Sequence, residues 1–79
     1  MGKCLINNNI RSLRFNHGEM TQQQLADKVG VTRQTIFAIE KGNYSPSLEL
    51  AFRIAFVFNL PLEEVFSFDL KNNNPEELN

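Results

Sequence analysis

The chain has 79 residues, 42 % apolar and 22 % charged, with one cysteine and a formal net charge of −1. That length supports a single small domain, able to bury only roughly 60 % of its unfolded surface. The composition excludes an internal disulfide, no apolar run approaches the roughly 18 residues of a membrane span, and MGKCLINNN is too short in apolar residues for a secretory signal, so a cytoplasmic protein is expected. The charge is unevenly spread. Residues 1–41 carry Lys3, Arg11, Arg14, Lys28, Arg33 and Lys41 against Glu19, Asp27 and Glu40, a net of +3, while residues 42–79 net −4. Local field, and not the average, decides what approaches a surface.

Residues 1–7 read as an N-terminal extension with a candidate short strand, 8–68 as the folded domain, and 69–79 as a polar, flexible tail. In NNNIRSLRFNHG the asparagines can cap a helix, Ile10 and Leu13 recur at i,i+3, and Gly18 closes the segment, which predicts a first helix over roughly 8–16. In TQQQLADKVG, Thr21 and Gln24 fit a capping box and Gly30 stops the second helix, about 22–29. VTRQTIFAIEKG gives a third helix with Thr32 as N-cap, Ile36 and Ile39 as its buried pair, and Gly42 as terminator. After NYSPS, with Ser47 as cap, SLELAFRIAFVFN is helical and unusually apolar. Leu48, Ala51, Ile54, Ala55 and Phe58 make its inner face, and Phe52 and Phe56 point elsewhere. Asn59 suits a left-handed C-terminal position, and Pro61 suits the first turn of a short fifth helix in PLEEVF. FSFDL alternates with period 2, a strand signal that could pair with CLI as a small antiparallel sheet.

The second and third helices are joined by Val29-Gly30-Val31. Such an elbow needs a small residue where the helices cross, which is Ala26, and a strain-free turn residue, which is Gly30. Leu25, Val29, Val31, Ile36 and Ile39 fill its inside. With these facing in, helical spacing turns Thr32, Arg33, Gln34, Phe37 and Ala38 outward.

TQQQLADKVGVTRQTIFAIEKGNYSPSLELAFRIAFVFNLPLEEVF resembles the Cro/C1-type helix–turn–helix regulators, the XRE family, and most closely their short stand-alone members. TQQQLA, RQTI and IEKG…PSLELA carry the likeness, which runs from about Ile10 to Phe68. HGEM, before Thr21, is one residue longer than the family's usual turn. The resemblance implies an all-α, five-helix Cro/C1 repressor-like bundle, here with the terminal strand pair added. It also implies a transcriptional regulator, most often a repressor, that binds palindromic double-stranded DNA as a homodimer.

In this motif the second helix lies in the major groove with its N-terminal residues at the base edges. Thr32, Arg33, Gln34, Phe37 and Ala38 are then the candidate base readers. Arg33 can pair two-fold with guanine, Gln34 with adenine, and Phe37 and Ala38 can pack on thymine methyls. Gln22, Thr35, Lys41, Asn43, Tyr44 and Ser45 are candidate contacts to the DNA backbone. Similar proteins pair an arginine of helix 1 with a glutamate ending helix 3, here Arg14 and Glu40. Phe52, Phe56, Leu62, Phe66 and Phe68 are more aromatic and aliphatic surface than one helix face can bury, and are the candidate dimer interface. No metal site, cofactor, membrane contact or small-molecule effector is expected. Enzymatic chemistry has no nucleophile–base pair, metal-ligand cluster or phosphate loop to support it. The competing reading is a protein-interaction module, such as an antitoxin-like partner.

Overall fold

The computed structural model describes residues 6–68, and the calls on Cys4, on Leu5 and on the tail from residue 69 lie outside them. The elements run β1 (Ile6–Asn8), α1 (Ile10–Asn16), α2 (Gln22–Val29), α3 (Arg33–Lys41), α4 (Leu48–Phe58), α5 (Leu62–Val65) and β2 (Phe66–Phe68). Five helices and a two-stranded antiparallel sheet therefore make up the fold, with Ile6 opposite Phe68 and Asn8 opposite Phe66.

Local chemistry accounts for the helix ends. Thr21 accepts a hydrogen bond from the Gln24 amide, and Gln24 accepts one back from the Thr21 amide, a closed capping box. Thr32 caps α3 through the Thr35 amide and Ser47 caps α4 through the Leu50 amide. Gly30, at φ +78°, ends α2 in the left-handed region and passes its N–H to the Ala26 carbonyl at 2.8 Å. Asn59 takes the same role after α4 at φ +57°. In the HGEM turn Gly18 and Glu19 are both left-handed, at +74° and +56°, so one non-glycine residue there carries strain.

α1 begins two residues later than the sequence suggests. Asn8 belongs to β1, and its side-chain oxygen accepts the Ile10 amide at 3.1 Å, whereas Asn9 precedes the helix without a side-chain cap bond. The Asn8 amide nitrogen also donates to the Ile39 carbonyl at 2.9 Å, joining the sheet to the last turn of α3.

The core gathers Ile10, Leu25, Ala26, Val29, Ile36, Ile39, Ile54, Phe58 and Val65, each no more than 2 % exposed. Fully burying an isoleucine contributes about 1.5–3 kcal/mol, so Ile36 and Ile39 fix which way α3 faces. Ala26, wholly buried, sits in the elbow between α2 and α3. The inner face of α4 needs one correction. Leu48 is 67 % exposed and Leu50, at 8 %, is buried in its place, because α4 turns the 50–54–58 stripe toward α2. The His17 ring, at the end of α1, meets buried Phe58 edge-on at 5.0 Å. Among the described residues no helix is long and apolar enough to cross a membrane, and no cluster of His, Cys, Asp or Glu could hold a metal ion.

Candidate nucleic-acid interface

The outer face of α3 is set by its inner face. Ile36 and Ile39 point into the core, so Arg33, Gln34 and Phe37 project outward and are exposed, with Ala38 half-buried beside them. Lys41 follows one turn after Phe37, and its ammonium lies 5.7 Å from the centre of the Phe37 ring, within cation–π range. Asn43, Tyr44 and Ser45 come next, all exposed, on the loop that follows Gly42. The candidate base and backbone residues of the third helix and its following loop thus lie in sequence along one helix and its C-terminal turn.

Thr32 and Thr35 are less free than their exposed neighbours. The Thr32 hydroxyl caps the Thr35 amide at 3.2 Å, and the two hydroxyls lie 3.1 Å apart. Gln34 is exposed, and its amide has no hydrogen-bond partner among the described residues. Arg33 is exposed but anchored: its Nη1 donates to Oε1 of Gln22 at 3.1 Å.

Gln22 is a bridge. Its Nε2 donates to Oε1 of Glu40 at 3.1 Å. Glu40 in turn accepts from Nε of Arg14 at 2.6 Å and from Nη2 at 3.1 Å, a two-point pair. The third nitrogen, Nη1, donates to the Met20 carbonyl at 2.8 Å. Both side chains of the pair are largely buried, with 14 % of Arg14 and 8 % of Glu40 exposed. A chain of hydrogen bonds therefore runs from the interior at Arg14, through Glu40 and Gln22, to the exposed guanidinium of Arg33. It has an electrostatic consequence as well. Glu40 is neutralised from within, so the charges left on the outer face of α3 are those of Arg33 and Lys41.

Sequence reasoning placed Gln22 at the surface as a backbone contact and did not anticipate the bridge. A signal existed: Gln22 and Arg33 each follow a capping threonine, and the elbow brings the two helix starts together. The candidate dimer residues separate into two groups. Phe52, Phe56 and Phe68 are 54 %, 85 % and 45 % exposed. Leu62 is half-buried against the core, and Phe66, at 9 %, packs inside its own chain. A groove of about 280 Å³ lies beside Leu62, lined by Ile6, Ser45, Pro46, Leu48, Ala51, Leu62 and Phe66.

The chain and its fold resemble known proteins. A helix-turn-helix family model matches residues 10–65. A protein of Archaeoglobus fulgidus called an uncharacterized HTH-type transcriptional regulator is 57 % identical over 60 residues, covering 76 % of this chain and 84 % of that one. The cryptic phage CTXphi transcriptional repressor RstR of Vibrio cholerae is 34 % identical over 74 residues, covering 94 % of this chain and 65 % of its own length. A crystal structure from Bacteroides fragilis, of a protein provisionally described as DNA-binding, superposes with a TM-score of 0.67 at 21 % identity, over 78 % of this chain and 98 % of that one, which is a likeness of fold. With its capped helix pair, its glycine elbow and these relatives, the chain belongs to the XRE family of helix-turn-helix proteins.

Proposed function

We propose that this protein is a sequence-specific transcriptional regulator, a repressor, that reads a palindromic operator in the major groove as a homodimer. The observation that carries the reading is the outer face of α3. A guanidinium and a free amide stand at the start of an exposed helix, and the guanidinium is held from behind by Gln22. Arg33 is the reader of guanine O6 and N7, and Gln34 that of adenine N6 and N7. Thr32 contributes only the part of its hydroxyl that capping leaves over. Lys41, Asn43, Tyr44, Ser45 and Thr35 meet phosphates and set register, carrying no sequence information. Gln22, at the N-terminus of α2, meets a phosphate there and steadies Arg33 at once.

Repression is supported by the phage repressor RstR, aligned over nearly the whole of this chain. Dimerisation is supported by exposed Phe52, Phe56 and Phe68 and by the apolar groove beside Leu62, a large aromatic surface for so small a domain. Phe66 supports that surface from within. A two-fold axis there would set two α3 helices about 34 Å apart, one turn of DNA.

The test is selection of binding sites from a randomised duplex pool at about physiological salt, run beside an Arg33→Ala, Gln34→Ala double variant. The expected result is an inverted repeat with half-sites about 10 bp apart, lost in the variant. A single recovered half-site would remove the dimer and keep the reader. Weak, salt-sensitive binding without a motif, equal in both proteins, would defeat base reading and bring a protein partner forward.

A further inference from the structure

Phe37 is a phenylalanine 48 % exposed on a face otherwise made of charged, amide and small side chains. It lies one turn after Arg33 and one turn before Lys41, with Ala38 next to it. A ring there makes no hydrogen bond. Set against a base edge that presents only donors and acceptors, it would strip water from polar atoms without replacing it, which is unfavourable. The major groove offers one apolar group, the C5-methyl of thymine. Lys41 over the ring restricts it and keeps a cation at the rim of the same contact.

We propose that Phe37, with the Ala38 methyl beside it, binds a pyrimidine C5-methyl group, whichever pyrimidine carries it. Thymine and 5-methylcytosine both supply that group; uracil and cytosine do not. Arg33 and Gln34 read donors and acceptors, and Phe37 reads a methyl, so cytosine methylation at one step of the operator raises affinity. The inference rests on the base-reading role of α3 and deepens it.

The selected duplex is rebuilt with each thymine in turn replaced by uracil, which deletes the methyl and leaves pairing intact. Wild-type protein loses about fourfold in affinity at one thymine per half-site, the factor equivalent to about 0.8 kcal/mol for one methyl moved out of water. Phe37→Ala loses that sensitivity and keeps its preferences elsewhere, and Phe37→Leu keeps part of it. With cytosine at the same step, methylation strengthens wild-type binding by a similar factor and leaves Phe37→Ala unchanged. Circular dichroism melts check that each variant is folded. A flat uracil scan in wild type, with an operator in hand, overturns the methyl reading, leaves Arg33 and Gln34 as readers, and makes the ring a protein contact. Uracil sensitivity that survives in Phe37→Ala overturns it as well. A selection that recovers no operator defeats the base-reading role and this inference with it.

Discussion

Helices α3 and α4 each bury an isoleucine-led stripe, yet their outer faces differ in kind. α3 shows Arg33, Gln34, Phe37 and Lys41, and α4 shows Glu49, Phe52, Arg53 and Phe56. The ionic groups differ too. On α3 the exposed guanidinium is the last member of a hydrogen-bond chain that begins inside the protein at Arg14. On α4 the charged pair is local, Arg53 to Glu49 at 2.7 Å within one helix turn, with 55 % and 74 % of the two side chains exposed. A side chain that must meet a base edge within hydrogen-bonding distance gains from being held before it binds, because less rotamer entropy is lost on contact. A face that recognises another protein through apolar area needs no such anchoring. An anchored polar face and an unanchored aromatic one should therefore respond differently to substitution.

The largest effect belongs to Glu40. Glu40→Ala leaves the buried Arg14 guanidinium without its carboxylate, which costs about 3–5 kcal/mol. At about 4–8 °C per kcal/mol for a domain of this size, the melting temperature should fall by at least about 12 °C. Gln22 also loses its acceptor, so operator affinity should fall at temperatures where the variant is still folded. The double substitution Arg14→Met, Glu40→Leu separates the two roles: it should recover much of the stability and little of the affinity. A loss of under about 1 kcal/mol in Glu40→Ala, set against the usual cost of an uncompensated buried charge, would mean that the pair does not anchor α3.

A smaller effect is expected at Asn8, which ties the sheet to the end of α3. Asn8→Ala strands the Ile10 amide and one bond of the Ile39 carbonyl, backbone groups of two buried residues, at a cost of at least about 1 kcal/mol. Urea unfolding should show a lower midpoint with an unchanged slope. Asn8→Asp keeps the acceptor for Ile10 but has no donor for Ile39, and should be the worse of the two. Equal stability of wild type and Asn8→Ala would leave the sheet mechanically separate from α3.

What was legible in the sequence follows from the range of each interaction. The caps at Thr21, Thr32 and Ser47 and the left-handed stops at Gly30 and Asn59 are settled within four residues, so spacing alone identifies them. The inner faces of α2 and α3 were legible because Leu25, Val29, Ile36 and Ile39 leave one choice of direction. α4 is apolar over so wide an arc that Leu48 and Leu50 fit equally well until α2 decides between them. Phe66 looked like spare surface because a three-residue strand shows no period until its partner β1 fixes which side faces the core. The Gln22 bridge and the Asn8 tie join residues 11 to 31 positions apart and leave no periodic trace. They become visible only when the elbow and the sheet bring those side chains together.

The smallest expected effect tests the other side of the comparison. Glu49 and Arg53 share a hydrogen bond of 2.7 Å, but both are in solvent, where such pairs typically contribute about 0.3–0.5 kcal/mol. Glu49→Ala should cost no more than that, and raised salt should erase the difference. Arg53 has a second task. Its Nη1 donates to the Val29 carbonyl at 3.2 Å, one of the orphan acceptors at the end of α2, beside the Gly30 elbow. Arg53→Ala should therefore cost more than Glu49→Ala, by about 0.5–1 kcal/mol, and salt should leave most of that excess in place, since a capped carbonyl in a half-buried site is little screened. Thermal melts of the two variants at low and high salt supply the four numbers needed. If both substitutions cost the same and both effects vanish in salt, Arg53 is only a surface partner of Glu49, and the elbow is held by its glycine and its core alone.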